Sequence, residues 1–527
     1  MRYKPPFMRL VYSLFLLFFL RTSAQQADVL IKNGKILDGT GNSWVYGDLA
    51  IQNGKILAIG KLNKWTASKI IDATGLIVAP GFIDVHTHIE GEEKRNPTAD
   101  NFIYDGVTTV VTGNCGLSQV NIGKYFGMLD SLTLSINVAS LVGHNDVRKA
   151  IMGSANRDPT EEEMKKMELV VEQAMKDGAV GFSTGLIYIP GTYSKTEEVV
   201  RLAKVAAGFG GVYASHIRNE GDSVTQAIEE ALHIGWEARM PVEISHFKLS
   251  GQQNWGRSKE TIPMIKKARE EGLDVTIDQY PYTASSTSLS TLLPDWVLAD
   301  GQDSIKFRLA NPVIRKEVIS FMLQRLRKRK LRHFSYPVVA SYGADSTLNG
   351  KSIEEVNLSK GRKHIARQEA ETILEMMEHG GAGMIFHGMG EEDVKAIMQY
   401  PYNMFASDAG IRIFKSGNPH PRGYGTNARV LGKYVREEKL ISLEEAIRRM
   451  TSLPAQKFQL KNRGILKEGF AADIVVFDEK KVGDRSTYDN PHQYSVGFEY
   501  VLVNGQLTVE YGKHTGARGG TTLRLKM

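Results

Sequence analysis

Apolar and polar positions along this chain follow two different periods. Near the start, Val29-Leu-Ile-Lys-Asn33-Gly34-Lys-Ile-Leu and Leu49-Ala-Ile-Gln-Asn53-Gly54-Lys-Ile-Leu are near copies of each other. Each reads as two short strands joined at Asn-Gly, a favoured two-residue turn because both central positions need positive φ. The pattern recurs in Tyr500-Val-Leu-Val-Asn504-Gly505-Gln-Leu-Thr-Val, after the strand-like Ala472-Asp-Ile-Val-Val-Phe477. Residues 25–79 and 456–527 are therefore expected to build one small β-sandwich from both ends of the chain.

Between them, short apolar runs alternate with stretches of helical spacing such as Glu161–Lys176 and Glu197–Ala207. The runs end at His86/His88, Cys115, His144, Thr184, His216, His246, Tyr280 and Asp408. Eight such units predict an α/β fold, a (β/α)8 TIM-like barrel over residues 80–455. Gly383-Met-Ile-Phe-His387 is a ninth strand candidate. Residues from about 290 to 370 fit no βα repeat and read as an insertion near the barrel mouth.

The first residues form a separate segment. Arg2, Lys4 and Arg9 precede the apolar run Leu10–Leu20, and Thr22-Ser-Ala24 follows. A basic start, a short apolar core and small residues predict a signal peptide over residues 1–24. The run is too short to cross a bilayer comfortably. The expectation is an exported protein, periplasmic or secreted, with no stable membrane span after cleavage. Losing this segment removes four cations and no acid, so the formal charge falls from +7 to +3. That leaves no nucleic-acid surface. The one dense basic run, Arg325–Arg332, alternates with apolar residues and reads as a solvated helix face.

In such a barrel, functional side chains sit at the carboxyl ends of the strands. Five of the thirteen histidines end strand-like runs, together with the single cysteine, Cys115, and Asp408. His86 and His88 project from one strand face, because residues i and i+2 share a side. Nitrogen, thiolate and carboxylate donors together suit zinc better than magnesium or calcium. Cys115 could bind one ion, bridge two, or lie buried and inert. His144 could ligate, support the site from behind, or be a core histidine. Asp408 is the candidate general base and acid, with a purely ligating role as the alternative. Lys248, two residues beyond His246, and Arg218, two beyond His216, could hold a substrate carboxylate or be solvated loop residues.

These residues resemble the amidohydrolase superfamily and, within it, the N-acyl-D-amino-acid deacylases. The resemblance runs through Ala79-Pro-Gly-Phe-Ile-Asp-Val-His-Thr-His88, Gly113-Asn-Cys-Gly116, Gly181–Gly191, Ser215-His-Ile-Arg-Asn-Glu220 and Ile244-Ser-His-Phe-Lys248. It continues in Tyr280–Ser285, Ser407-Asp408, His420–Thr426 and Arg463–Asp473. It implies a well-held zinc on Cys115, His216 and His246, and a weaker second site at His86, His88 and Asp408. Cys115 would stand where hydantoinases use a carboxylated lysine, and the run Ala179–Thr184 has no lysine. Substrate contacts would fall on Tyr188, Lys248, Tyr280, Ser286 and Arg422.

The implied activity is zinc-dependent hydrolysis of N-acyl-D-amino acids, small-molecule substrates, with cyclic-amide, imide or isopeptide hydrolysis as an alternative. A non-catalytic exported binding protein is the alternative of another class. The chain departs from the family pattern at Phe247, at Ile89-Glu90-Gly91 and at Ala409, all bordering the expected pocket.

Overall fold

The computed structural model describes residues 25–525; the expected signal segment lies outside them. Eight short parallel strands form the barrel: Phe82–Asp84, Val107–Thr112, Asn137–Gly143, Gly181–Gly185, Val212–His216, Val242–Ile244, Val275–Gln279 and Asn403–Phe405. The third is broken at Leu141. Its first half pairs with the second strand, and Val142-Gly143 pairs with the fourth. The ring closes where Asp408 donates its backbone N–H to the His86 carbonyl (2.9 Å) and His88 to that of Ala409 (2.9 Å). The strands are buried on both faces and are near-continuous apolar or small-residue runs, as parallel strands covered by helices must be.

The chain ends form one continuous nine-stranded sheet rather than two separate ones. Strands between Gln26 and Pro80 join strands between Ile474 and His514 through the antiparallel pairing of Ile77–Pro80 with Ile474–Phe477. Val29, Ile31, Leu49 and Ile56 share a core with Ile474, Val476 and Leu502, so the two halves of the sheet close over common apolar residues.

Two of the three Asn-Gly pairs in the terminal segments make the expected hairpin turns. Asn53-Gly54 and Asn504-Gly505 have positive φ and join antiparallel neighbours. Asn33-Gly34 does not. It lies inside one long strand, Gln26–Ile36, where it makes a bulge against Leu49–Gly47. A Cβ at Gly34 would come within 2.5 Å of Val78 Cγ2, so here glycine answers to packing.

The insertion extends further than 290–370. Strands Ala284–Ser288, Pro337–Ser341 and Gly383–His387 form their own antiparallel sheet, so Gly383–His387 is not a barrel strand. A separate core including Leu309, Met322, Ile373 and Met384 holds the insertion together. The chain returns to the barrel through the helix Glu391–Met398.

Candidate metal centre

The strand ends converge on one cavity of about 1360 Å³. His88, Cys115, His216, His246 and Asp408 line it from the barrel. Tyr188, Lys248, Tyr280, Ser286 and Arg422 line the space around them, so all ten side chains meet there. His86 lies behind this surface, fully buried.

Three of these residues reach the centre through left-handed backbone: Cys115 (φ 54°), His246 (φ 36°) and Asp408 (φ 50°). That conformation costs a non-glycine residue on the order of 1–3 kcal/mol, and the surrounding packing holds it. The glycines beside Cys115 make its turn possible. A Cβ at Gly113 would meet the Leu141 carbonyl oxygen at 2.2 Å, and one at Gly116 the Asn145 side chain at 2.1 Å.

Cys115 Sγ is the hub. It lies 3.3 Å from His86 Nε2, 3.6 Å from His216 Nδ1 and 3.5 Å from His246 Nε2. Tetrahedral zinc, with bonds of ~2.3 Å to sulfur and ~2.05 Å to nitrogen, sets these atoms about 3.6 Å apart. The three sulfur–nitrogen distances match that spacing, and His86, Cys115 and His246 offer donor atoms that all lie within 4.8 Å of one another. Asp408 Oδ1 lies 3.3 Å from His88 Nε2 and 3.7 Å from His86 Nε2, so His86, His88 and Asp408 form an adjoining group. His86 belongs to both groups, which makes the centre one continuous cluster.

The electrostatics follow from this crowding. Burial pushes the Cys115 thiol up, yet the positive charge of His86 and His246 outweighs it and holds the thiol well below its ordinary range. Burial likewise raises the Asp408 carboxyl, but Arg422, with Nη1 2.9 Å from Oδ2, and the neighbouring histidines hold it well below the usual carboxylate range. Burial favours neutral His88, but Asp408 and Cys115 raise its pKa to about 9. Cation binding at these nitrogens therefore releases protons.

A match to the amidohydrolase family spans residues 69–509. The chain belongs to that family. This amidohydrolase is 34% identical to a D-aminoacylase of Alcaligenes xylosoxydans xylosoxydans, over 95% of this chain and 99% of the relative. It is 36% identical to an N-acyl-D-glutamate deacylase of the same organism, over 91% and 93%. Among solved structures, a D-aminoacylase superposes with a TM-score of 0.81 at 33% identity, over 94% of this chain and all of that one. An N-acyl-D-glutamate deacylase from Bordetella bronchiseptica, complexed with zinc and a phosphonate mimic of the tetrahedral intermediate, gives 0.81 at 36%, over 95% of this chain and all of the other.

Two acids of this amidohydrolase's centre are absent from the expected site. Asp278 accepts from His86 Nδ1 (3.2 Å) and from the His246 backbone N–H (2.9 Å). Glu220 Oε1 lies 3.0 Å from His246 Nδ1 and 2.5 Å from Lys248 Nζ. Each carboxylate orients an imidazole so that the other ring nitrogen faces the cysteine. The sequence does carry a signal for both. Asp278 shares a strand face with Tyr280, and Glu220 follows His216 by one helical turn's spacing.

Other residues turn out to be structural. His144 Nε2 bonds Glu198 (2.8 Å), which also binds Arg148, and His144 does not reach the cavity. Arg218 lines the cavity, but Glu230 and the Thr192 and Ser194 carbonyls already hold its guanidinium. Phe247 points into the apolar core, whereas Glu90 lines the cavity and accepts from Thr112 Oγ1 and the Gly113 N–H. The basic run is only partly solvated: Arg325, Lys328 and Arg329 reach the cavity rim from the insertion.

Proposed function

We propose that this chain is a zinc-dependent N-acyl-D-amino-acid deacylase, releasing a carboxylate and a free D-amino acid. The observation carrying this reading is Cys115 Sγ within 3.6 Å of three imidazole nitrogens, with Asp408 beside them. Cys115, His216 and His246 would hold the first zinc, with His86 alongside; His86, His88 and Asp408 would offer a second, weaker site. Bound zinc would supply Lewis-acid polarisation of the amide carbonyl and lower the pKa of the attacking water.

The side chains do the rest. Asp408, kept ionised by Arg422, accepts the proton of the attacking water and returns it to the leaving amine nitrogen. Tyr188 accepts from Thr287 (3.1 Å), which leaves its own O–H free to donate to the developing oxyanion. Arg422, stacked 4.4 Å over the Tyr280 ring, would anchor the substrate carboxylate, and Lys248, held by Glu220 (2.5 Å) and the His246 carbonyl (2.7 Å), would add its positive charge on that side. Ser286 closes that side, its carbonyl accepting from Arg422 (3.3 Å).

Export belongs to the same proposal. Arg2, Lys4 and Arg9 before an apolar run support a cleaved signal peptide and a periplasmic or secreted enzyme, organised as a terminal β-unit, a barrel and an inserted unit. Among the described residues no helix is long and apolar enough to cross a membrane.

Zinc content and N-acetyl-D-amino-acid hydrolysis of wild type and Cys115→Ala test the chemistry. The variant is expected to lose both; a variant that keeps zinc and turnover refutes the cysteine's role. Amino-terminal sequencing of the exported protein tests the cleavage after Ala24.

A further inference from the structure

The insertion carries a second constellation of metal-type donors, none of which lines the catalytic cavity. His333 Nδ1 lies 2.6 Å from Glu369 Oε1, and His364 Nε2 lies 2.5 Å from Glu354 Oε1. The two imidazoles stack with centroids 4.0 Å apart and planes at 24°. Four donor atoms, one from each residue, lie within 4.8 Å of one another.

Glu369 is the anchor. It is fully buried, and its Oε2 accepts the Phe334 backbone N–H (2.7 Å), which aims Oε1 at His333. Glu354 is fixed to the same turn, its N–H donating to the Phe334 carbonyl (3.2 Å). His364 is half exposed, so the cluster opens to solvent and an ion can enter.

We infer that His333, Glu354, His364 and Glu369 form a separate zinc site on the surface of the insertion. Two neutral imidazoles and two carboxylates carry a charge of −2, which balances a divalent cation, and mixed nitrogen and oxygen donors suit zinc. Donors around a tetrahedral zinc lie about 3.3 Å apart, so the two close contacts open and the longer ones contract by less than the width of an atom. The ligands come from four places: the turn after the helix Pro312–Lys328, the first turn of Ile353–Ser359, the segment leading into Ala366–Glu378, and the first turn of that last helix. The first of these helices sends Phe321, Arg325 and Lys328 to the cavity rim. An ion here clamps that helix to the rest of the insertion and so steadies the rim without touching the reacting centre.

The full chain, loaded with zinc and dialysed, tests this through metal count and position. Anomalous diffraction at the zinc edge is expected to show a peak among the four residues. His333→Gln/His364→Gln is expected to bind one zinc fewer while keeping its zinc at the barrel mouth. His364→Gln alone alters an exposed side chain and keeps the test valid if the double variant fails to fold. Losing even an outer partner of a metal ligand weakens binding about 10–100-fold, so a directly ligating histidine should cost at least about tenfold. A missing peak, or an unchanged zinc count or affinity in the variants, overturns the site and leaves two histidine–glutamate ion pairs.

Discussion

The barrel mouth and the terminal sheet are built on opposite terms. In the sheet, Ile474-Val-Val-Phe477 is wholly apolar and wholly buried, because both faces are covered and every side chain has an apolar neighbour. At the mouth, Cys115, Glu220, His246, Lys248 and Asp408 crowd ionisable groups around one cavity, and Cys115, His246 and Asp408 reach it on left-handed backbone. The first arrangement stabilises the fold. The second costs stability and is held in place by it, which is the usual relation between a scaffold and a preorganised site.

The largest effect should come from the mouth. Asp408→Asn keeps the shape but not the charge, and deacylation should fall about a thousandfold with the folded spectrum retained. Steady-state kinetics beside circular dichroism would check this, and a large loss of structure would blur the contrast.

Ile474→Ala in the sheet should do the reverse. It removes a fully buried side chain and should cost about 2–5 kcal/mol in denaturant unfolding while kcat stays unchanged. A drop in kcat without a drop in stability would contradict the division of labour.

Asp278→Asn lies between the two. It loosens the orientation of His86 and should weaken zinc retention about 10–100-fold, read by competition with a chelator.

The gentlest effect concerns a buried charge away from the mouth. Burial lowers the Lys457 pKa from 10.5 to about 8, although Asp274 partly opposes it. Between those values the unfolded chain binds more protons than the folded one, so this residue's contribution makes stability rise as pH increases from about 8 to 10.5. Lys457→Met should flatten that slope in urea titrations at stepped pH.

The same contrast explains what the sequence could reveal. The barrel was legible because each covered strand is a short apolar run with a polar residue at its end, and the helix expected at Glu161–Lys176 is present with those limits. The donors were legible because histidine, cysteine and aspartate at strand ends are rare by chance. Asn33-Gly34 carries the signature of a turn but makes a bulge, because only Asn33 takes the left-handed backbone and Gly34 is fixed by the approach of Val78 across the sheet. Gly383–His387 has the pattern of a barrel strand, but its partners Ala284–Ser288 and Pro337–Ser341 are distant in sequence. Glu220 and Asp278 act through other side chains, so their spacing from His216 and Tyr280 places them near the site while their partners, His246 and His86, appear only in the fold. The fate of Arg218 shows the converse: a favourable position says nothing about Glu230, which already holds it.

Matched N-acetyl D- and L-amino acids, offered to the zinc-loaded enzyme and to Asp408→Asn, test the central claim most directly. Turnover of D-substrates only, dependent on zinc and lost with Asp408, is the expected result. Equal turnover of the two series, or none from a protein that holds its zinc, would contradict it.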